Sequence, residues 1–194
     1  MRRQVFVAAV LGLAACRAPR PSSLQIPLRW TSPDEVKDVP PAAIDAFRGQ
    51  SVAVVVADAR QTRAAVGENV EGRPPAPVTT KDDVPGYVGR VAAATLSANA
   101  IKVVSTGATR ALKLDVQDFF VSEENTYQAR VTLGASLVDA GGAELWHGVV
   151  RGTSKRFGHS FDEVMYGETL SNATLDAVLQ LLGDDGLQAA ARGK

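Results

Sequence analysis

Three segments in the second half of the chain, at residues 111–121, 125–139 and 143–154, alternate apolar with polar or small side chains. No other pattern in the sequence narrows the fold as much. Leu112, Leu114 and Val116 are set against Lys113, Asp115 and Gln117. Tyr127, Ala129, Val131, Leu133, Ala135 and Leu137 continue the pattern, and Leu145, Trp146, Val149 and Val150 carry the third segment. Successive side chains of a strand point to opposite faces, so a period of two predicts strands with one covered and one wet face. The spacers 122–125 and 139–142, the second with Gly141-Gly142, read as hairpin turns. The three strands are therefore expected to form an antiparallel meander that needs a second layer on its apolar side.

The rest of the chain supplies that layer. Val84, Val88, Val91, Ala92, Thr95 and Leu96 fall on one stripe at helical spacing, preceded by Thr80 and Asp83 in a capping-box pattern and followed by Asn99 as a C-cap. A second helix is expected from the Ser160–Glu163 capping box to Gly183, with Leu170, Leu175, Val178, Leu179 and Leu182 on its apolar side. The β-branched run 51–58 predicts a central strand buried on both faces. Residues 24–30 read as an edge strand or extended arm because of Pro27, and 102–105 as a short strand. Residues 42–47 read as a helical turn. Residues 59–81 are expected to be either a functional loop or a concealed short hairpin around 66–70. These elements predict an α+β, two-layer sandwich: a mixed, mostly antiparallel sheet with two helices on one face, all within one domain over residues 24–194.

The N-terminus reads as an address. Arg2 and Arg3 precede a short apolar run that is well under the about 20 residues a bilayer span takes. Leu13, Ala14 and Ala15 then lead into Cys16, the single cysteine of the chain. This is the lipobox pattern of bacterial lipoproteins, in which the thiol takes a diacylglycerol. Residues 1–15 are expected to be a lipoprotein signal peptide, and 16–23, with Pro19 and Pro21, a flexible tether. Two or more acyl chains suffice for stable anchoring where one is marginal. Arg17, rather than an aspartate, follows the acceptor cysteine; this resembles the enteric pattern for the periplasmic face of the outer membrane.

Composition excludes more than it assigns. The 194 residues carry 21 basic and 21 acidic side chains, which argues against a protein that holds nucleic acid by phosphate neutralisation. One cysteine excludes a disulfide framework or thiolate cluster. No phosphate loop, dinucleotide fingerprint, zinc-protease or nucleophile-elbow motif is present, and His147 and His159 are the only histidines. No catalytic residue, cofactor or metal is expected, and His147 reads as a sheet-face residue. Arg60, Arg63 and Arg73 form a candidate binding loop after Asp58, suited to a carboxylate or phosphate of a partner. Tyr127, Trp146, Phe119 and Phe120 are candidates for an aromatic patch.

The chain resembles the YajG-like family of bacterial lipoproteins through residues 13–16, the run 51–60 ending in Asp58-Ala59-Arg60, residues 125–127, and residues 170–176 of the final helix. Asn99-Ala100-Ile101 stands where that family usually has a glycine and an aromatic residue. The resemblance implies a membrane-anchored envelope protein with an α/β sandwich and no established catalytic residues. The expected function is a non-enzymatic envelope lipoprotein whose globular domain binds another envelope component. The alternative is an accessory lipoprotein subunit of an envelope transport or assembly complex. Its expected partners are the membrane, through the lipid anchor, and an envelope protein.

Overall fold

A computed structural model of the protein describes residues 22–30, 39–158 and 160–193. The expected signal peptide and lipobox, Cys16, most of the expected tether and His159 lie outside the described residues. Along the chain come β1 (Leu24–Gln25), α1 (Pro41–Ala46), β2 (Ser51–Asp58), β3 (Ala65–Asn69), β4 (Ala76–Thr79), α2 (Val84–Ala98), β5 (Lys102–Val103), β6 (Arg110–Glu123), β7 (Thr126–Asp139), β8 (Glu144–Phe157), α3 (Glu163–Leu182) and α4 (Asp185–Ala191).

The meander forms as its alternation requires. β6 pairs antiparallel with β7 from Arg110↔Asp139 to Glu123↔Tyr127, and β7 with β8 from Thr126↔Phe157 to Val138↔Glu144. The second turn is fixed by Asp139, whose carboxylate accepts from Gly141 N and Ala143 N, both at 2.9 Å, while Gly142 supplies a φ of +86°. The full sheet has eight strands among the described residues. Its other contacts are shorter: β1 beside β4, β5 beside β2, and β2 and β3 beside β6 are parallel, and β3 with β4 is an antiparallel hairpin.

Both long helices cover one face. Leu112, Leu114, Val116, Val131, Leu133 and Leu137 are buried there against Val88, Val91, Leu170, Ala173, Ala177 and Leu181 in one core. The helices are neighbours, joined by a 2.7 Å hydrogen bond between the hydroxyls of Tyr87 and Ser171. α3 comes closest to the sheet at Gly152. A Cβ there would lie 2.0 Å from Ala173 O and 2.3 Å from Ala177 N, so backbone meets backbone with no room for a side chain. Beside it Asp176 of α3 accepts a 3.0 Å bond from Thr153 N of β8.

The opposite face carries Lys113, Asp115, Gln117, Gln128, Arg130 and His147, all exposed. This single-sided cover corrects one expectation. β2 is central, between β5 and β6, but only Val52 is fully buried, and Val55 on the bare face is 53% exposed. A two-layer sandwich has nothing to place there.

The caps differ from the expected boxes. Asp162, not Ser160, caps α3, accepting from Val164 N at 2.9 Å and Met165 N at 3.1 Å. Ser160 instead meets the Tyr127 hydroxyl, with Oγ and N each at 3.1 Å. Asp83 holds the N-cap position of α2 without a side-chain bond, and Thr80 Oγ1 accepts from Asp82 N at 3.1 Å. Asp82 in turn ties down the N-terminal arm by accepting from Leu28 N at 2.6 Å. Asn99 does end α2, and Ala100 follows with a φ of +61°. Residues 59–81 conceal a hairpin, β3 and β4, and Arg73-Pro74-Pro75 forms its turn region.

Candidate functional site

The site arises from a change of partner along one strand. The same edge of β6 pairs with β2 as far as Asp58↔Val116 and with β3 from Gly67↔Val121. Between these, residues 117–120 have no ladder partner on that side among the described residues, and a bulge falls between Val116 and Asp118. The 59–64 connection joins β2 to β3 here. An open cleft of about 610 Å³ results, lined by Ala59, Arg60, Gln61, Thr62 and Ala65 from the connection and the start of β3, by Gln117–Phe120 of β6, and by Arg130 of β7. Gly67 permits the partner change, because a Cβ there would come within 2.4 Å of Val121 O.

Arg60 is the fixed point of the cleft. Its side chain is only 6% exposed. Nε and Nη2 donate to the two carboxylate oxygens of Asp58, both at 2.9 Å, in a bidentate fork. Arg60 Nη1 is buried and finds no hydrogen-bond partner among the described residues. Arg63 approaches the same aspartate from solvent, donating to Asp58 O at 2.8 Å, with Nε 3.6 Å from the carboxylate. The bonded Arg60 guanidinium holds the Asp58 carboxyl below its usual range, against the opposing effect of burial, with Arg63 adding to the lowering. On the far wall Arg130 is paired with Asp118.

The sequence places these residues unevenly. Asp58, Arg60 and Arg63 do converge, whereas Arg73 does not join them. It lies in the β3–β4 turn, beyond the opposite end of β3, because the hairpin carries it away from the 59–64 connection. The expected aromatic patch also divides: Tyr127 and Phe119 are core residues, Phe120 lines the cleft, and Trp146 rests against α4 near Gly186. Tyr127 and Phe119 sit on the covered side of the meander, so their alternation sends them inward. His147 is exposed on the bare face, its Nδ1 2.8 Å from Glu144 Oε1. Gln117, Asp118 and Arg130 escape a reading by motif. Their signal is the break in alternation at Gln117-Asp118-Phe119-Phe120, which is what an inserted residue does to a period of two.

A second polar cluster pins the head of α3. Glu123 is wholly buried and accepts from Tyr166 Oη at 2.6 Å and Phe161 N at 3.0 Å. Burial, reinforced by the Glu123 carboxylate, pushes the Tyr166 hydroxyl far above the ordinary tyrosine range, so it remains a donor. Tyr127 and Tyr166 meet edge to face at 5.0 Å. None of these side chains lines the cleft, and their bonds are structural ones. Among the described residues no group of three or more His, Cys, Asp or Glu could hold a metal ion, and no helix is long and apolar enough to cross a membrane.

No family model matches this chain, and no curated protein does. Solved structures do. A Xanthomonas campestris protein of the DUF330 family model superposes with a TM-score of 0.53 at 12% identity, covering 72% of this chain and 85% of that chain. A PelC variant dodecamer from Paraburkholderia phytofirmans gives a TM-score of 0.44 at 23% identity, over 73% and 90% of the two chains. A lipoprotein from Neisseria meningitidis gives 0.36 at 18% identity, over 70% and 99%. The chain thus shares the α+β sandwich of the DUF330 protein, and its cleft lies where a strand of that sandwich changes partners.

Proposed function

We propose that the protein is a lipid-anchored, non-enzymatic component of the bacterial cell envelope, which binds another envelope component through the Arg60 cleft. The observation that carries the anchor is the placement of the one cysteine of the chain at the end of Leu13-Ala14-Ala15-Cys16. The resemblance to YajG-like lipoproteins points the same way, and Arg17 favours the periplasmic face of the outer membrane.

The cleft favours binding over catalysis. Its basic and acidic groups are engaged with one another, Arg60 with Asp58 and Arg130 with Asp118, rather than poised around a nucleophile. A general base needs a titratable group within reach of the proton it removes, and His147 is not among the lining residues.

Two measurements test this reading. Cys16→Ser should move the protein from the membrane fraction and abolish incorporation of labelled fatty acid. An unchanged membrane fraction with no fatty acid lost on substitution refutes the anchor. A photocrosslinker at Thr62 in intact cells should capture an envelope partner. A stoichiometric transporter complex would make the chain an accessory subunit of it, and failure to capture any partner refutes docking through the cleft.

A further inference from the structure

We infer that the ligand of the cleft is a carboxylate joined to an apolar group, as at the C-terminal end of a peptide, and that Arg60 recognises it. The inference rests on the cleft being the binding site and adds the chemistry that fills it.

The first observation is the unmet donor. Two nitrogens of Arg60 are held by Asp58, and the third, Nη1, is buried and unpartnered among the described residues. A buried N–H on a charged group without an acceptor carries a standing free-energy cost, which a ligand oxygen removes once a small shift of the lining side chains uncovers Nη1. The guanidinium is also immobilised by its fork, so little side-chain freedom is lost when a ligand binds.

The second observation is charge. Arg60, Arg63 and Arg130 face Asp58 and Asp118, which leaves one positive charge unbalanced. That suits a monoanion. A dianionic phosphate would bring its second charge against the Asp118 carboxylate on the cleft wall.

The third is the wall itself. Ala59, Ala65 and Phe120 give apolar surface beside the polar Gln61, Thr62 and Gln117. Residues 117–120 of β6 have no ladder partner on the cleft side among the described residues, so their main chain can meet the main chain of an extended peptide. The three features together match a chain end: a carboxylate for Arg60, an apolar side chain for Phe120 and a backbone for the open strand edge.

Calorimetric titration of the full chain with N-acetyl-phenylalanine tests this. Two controls accompany it: N-acetyl-phenylalanine amide, which keeps the ring and loses the charge, and inorganic phosphate. The acid should bind saturably, with the amide at least about tenfold weaker and phosphate unable to compete. Arg60→Lys keeps the charge but loses the fork, and should weaken the acid by about tenfold or more. If Arg60→Lys does not fold, the acid–amide comparison decides on its own. Equal binding of acid and amide, no saturation by ~10 mM acid, or displacement by phosphate overturns the inference. A partner captured from Thr62 by a chain that ignores the acid would leave docking standing and remove the carboxylate. Saturable acid binding without any captured partner would do the reverse.

Discussion

Placing one methyl group on Gly152 would test how α3 is seated on the sheet. The alanine Cβ would fall 2.0 Å from Ala173 O, 2.3 Å from Ala177 N and 2.9 Å from Ala177 Cα. A carbon and a carbonyl oxygen come no closer than about 3.3 Å even in weak hydrogen-bonded contact. Helix and strand would therefore have to part by roughly 1 Å, because both obstacles are backbone and no rotamer relieves them. α3 is held by Leu170, Ala173, Ala177, Val178 and Leu181, all buried, so the movement would loosen a whole interface. Overpacking in cores costs about 1–3 kcal/mol, and a clash with backbone belongs at or above the top of that range. At about 2–4 °C per kcal/mol for a domain of this size, Gly152→Ala should lower Tm by roughly 6–12 °C. Urea denaturation followed by circular dichroism would show a lower midpoint at unchanged slope. A change within ~0.5 kcal/mol of wild type would mean that α3 does not lie on β8 as described.

Other substitutions probe the polar contacts. Tyr166→Phe removes the hydroxyl that donates to buried Glu123 and should destabilise by about 1–3 kcal/mol in chemical denaturation; an effect near zero would place the carboxylate elsewhere. Asp162→Ala should cost about 1 kcal/mol as loss of the α3 cap, with Ser160→Ala milder. The reverse order would restore the Ser160 capping box. Asp58 has a depressed pKa in the folded state, so its contribution is present above its unfolded value of about 3.9 and is lost as pH falls through the folded value. The stability gap between wild type and Asp58→Asn should therefore narrow in acid, and a gap constant from neutral pH to ~2 refutes the Asp58–Arg60 account.

The meander was legible because a period of two has one physical cause, a sheet with unlike faces. The helices were legible for the same kind of reason, through the stripe from Val84 to Leu96 and the apolar side of residues 170–182. What failed was information that a local pattern does not hold. A continuous run such as Val54-Val55-Val56 looks the same whether the second face is covered or bare, and Val55 is left in solvent because the described residues form no third layer. Ser160 and Asp162 lie within one turn of the same helix start, and the engagement of Ser160 with Tyr127, 33 residues away, decided between them. The arginine loop was readable as a charge cluster. That Arg60 is buried while Arg63 is exposed follows from the partner change along β6, which no local spacing encodes.

Among the described residues β8 lies at the margin of the sheet, paired only with β7 along its 14 residues. A margin of that length offers a template on which another polypeptide could add itself and start an aggregate. The contact between Thr153 and Asp176 occupies an amide near its C-terminal half, and α3 overlies Gly152 next to it. An incoming strand would find its register interrupted there, with Arg151 and Lys155 on either side adding charge that must be stripped of water. The residues that seat the last long helix thus also work against neighbouring copies zipping together along this margin.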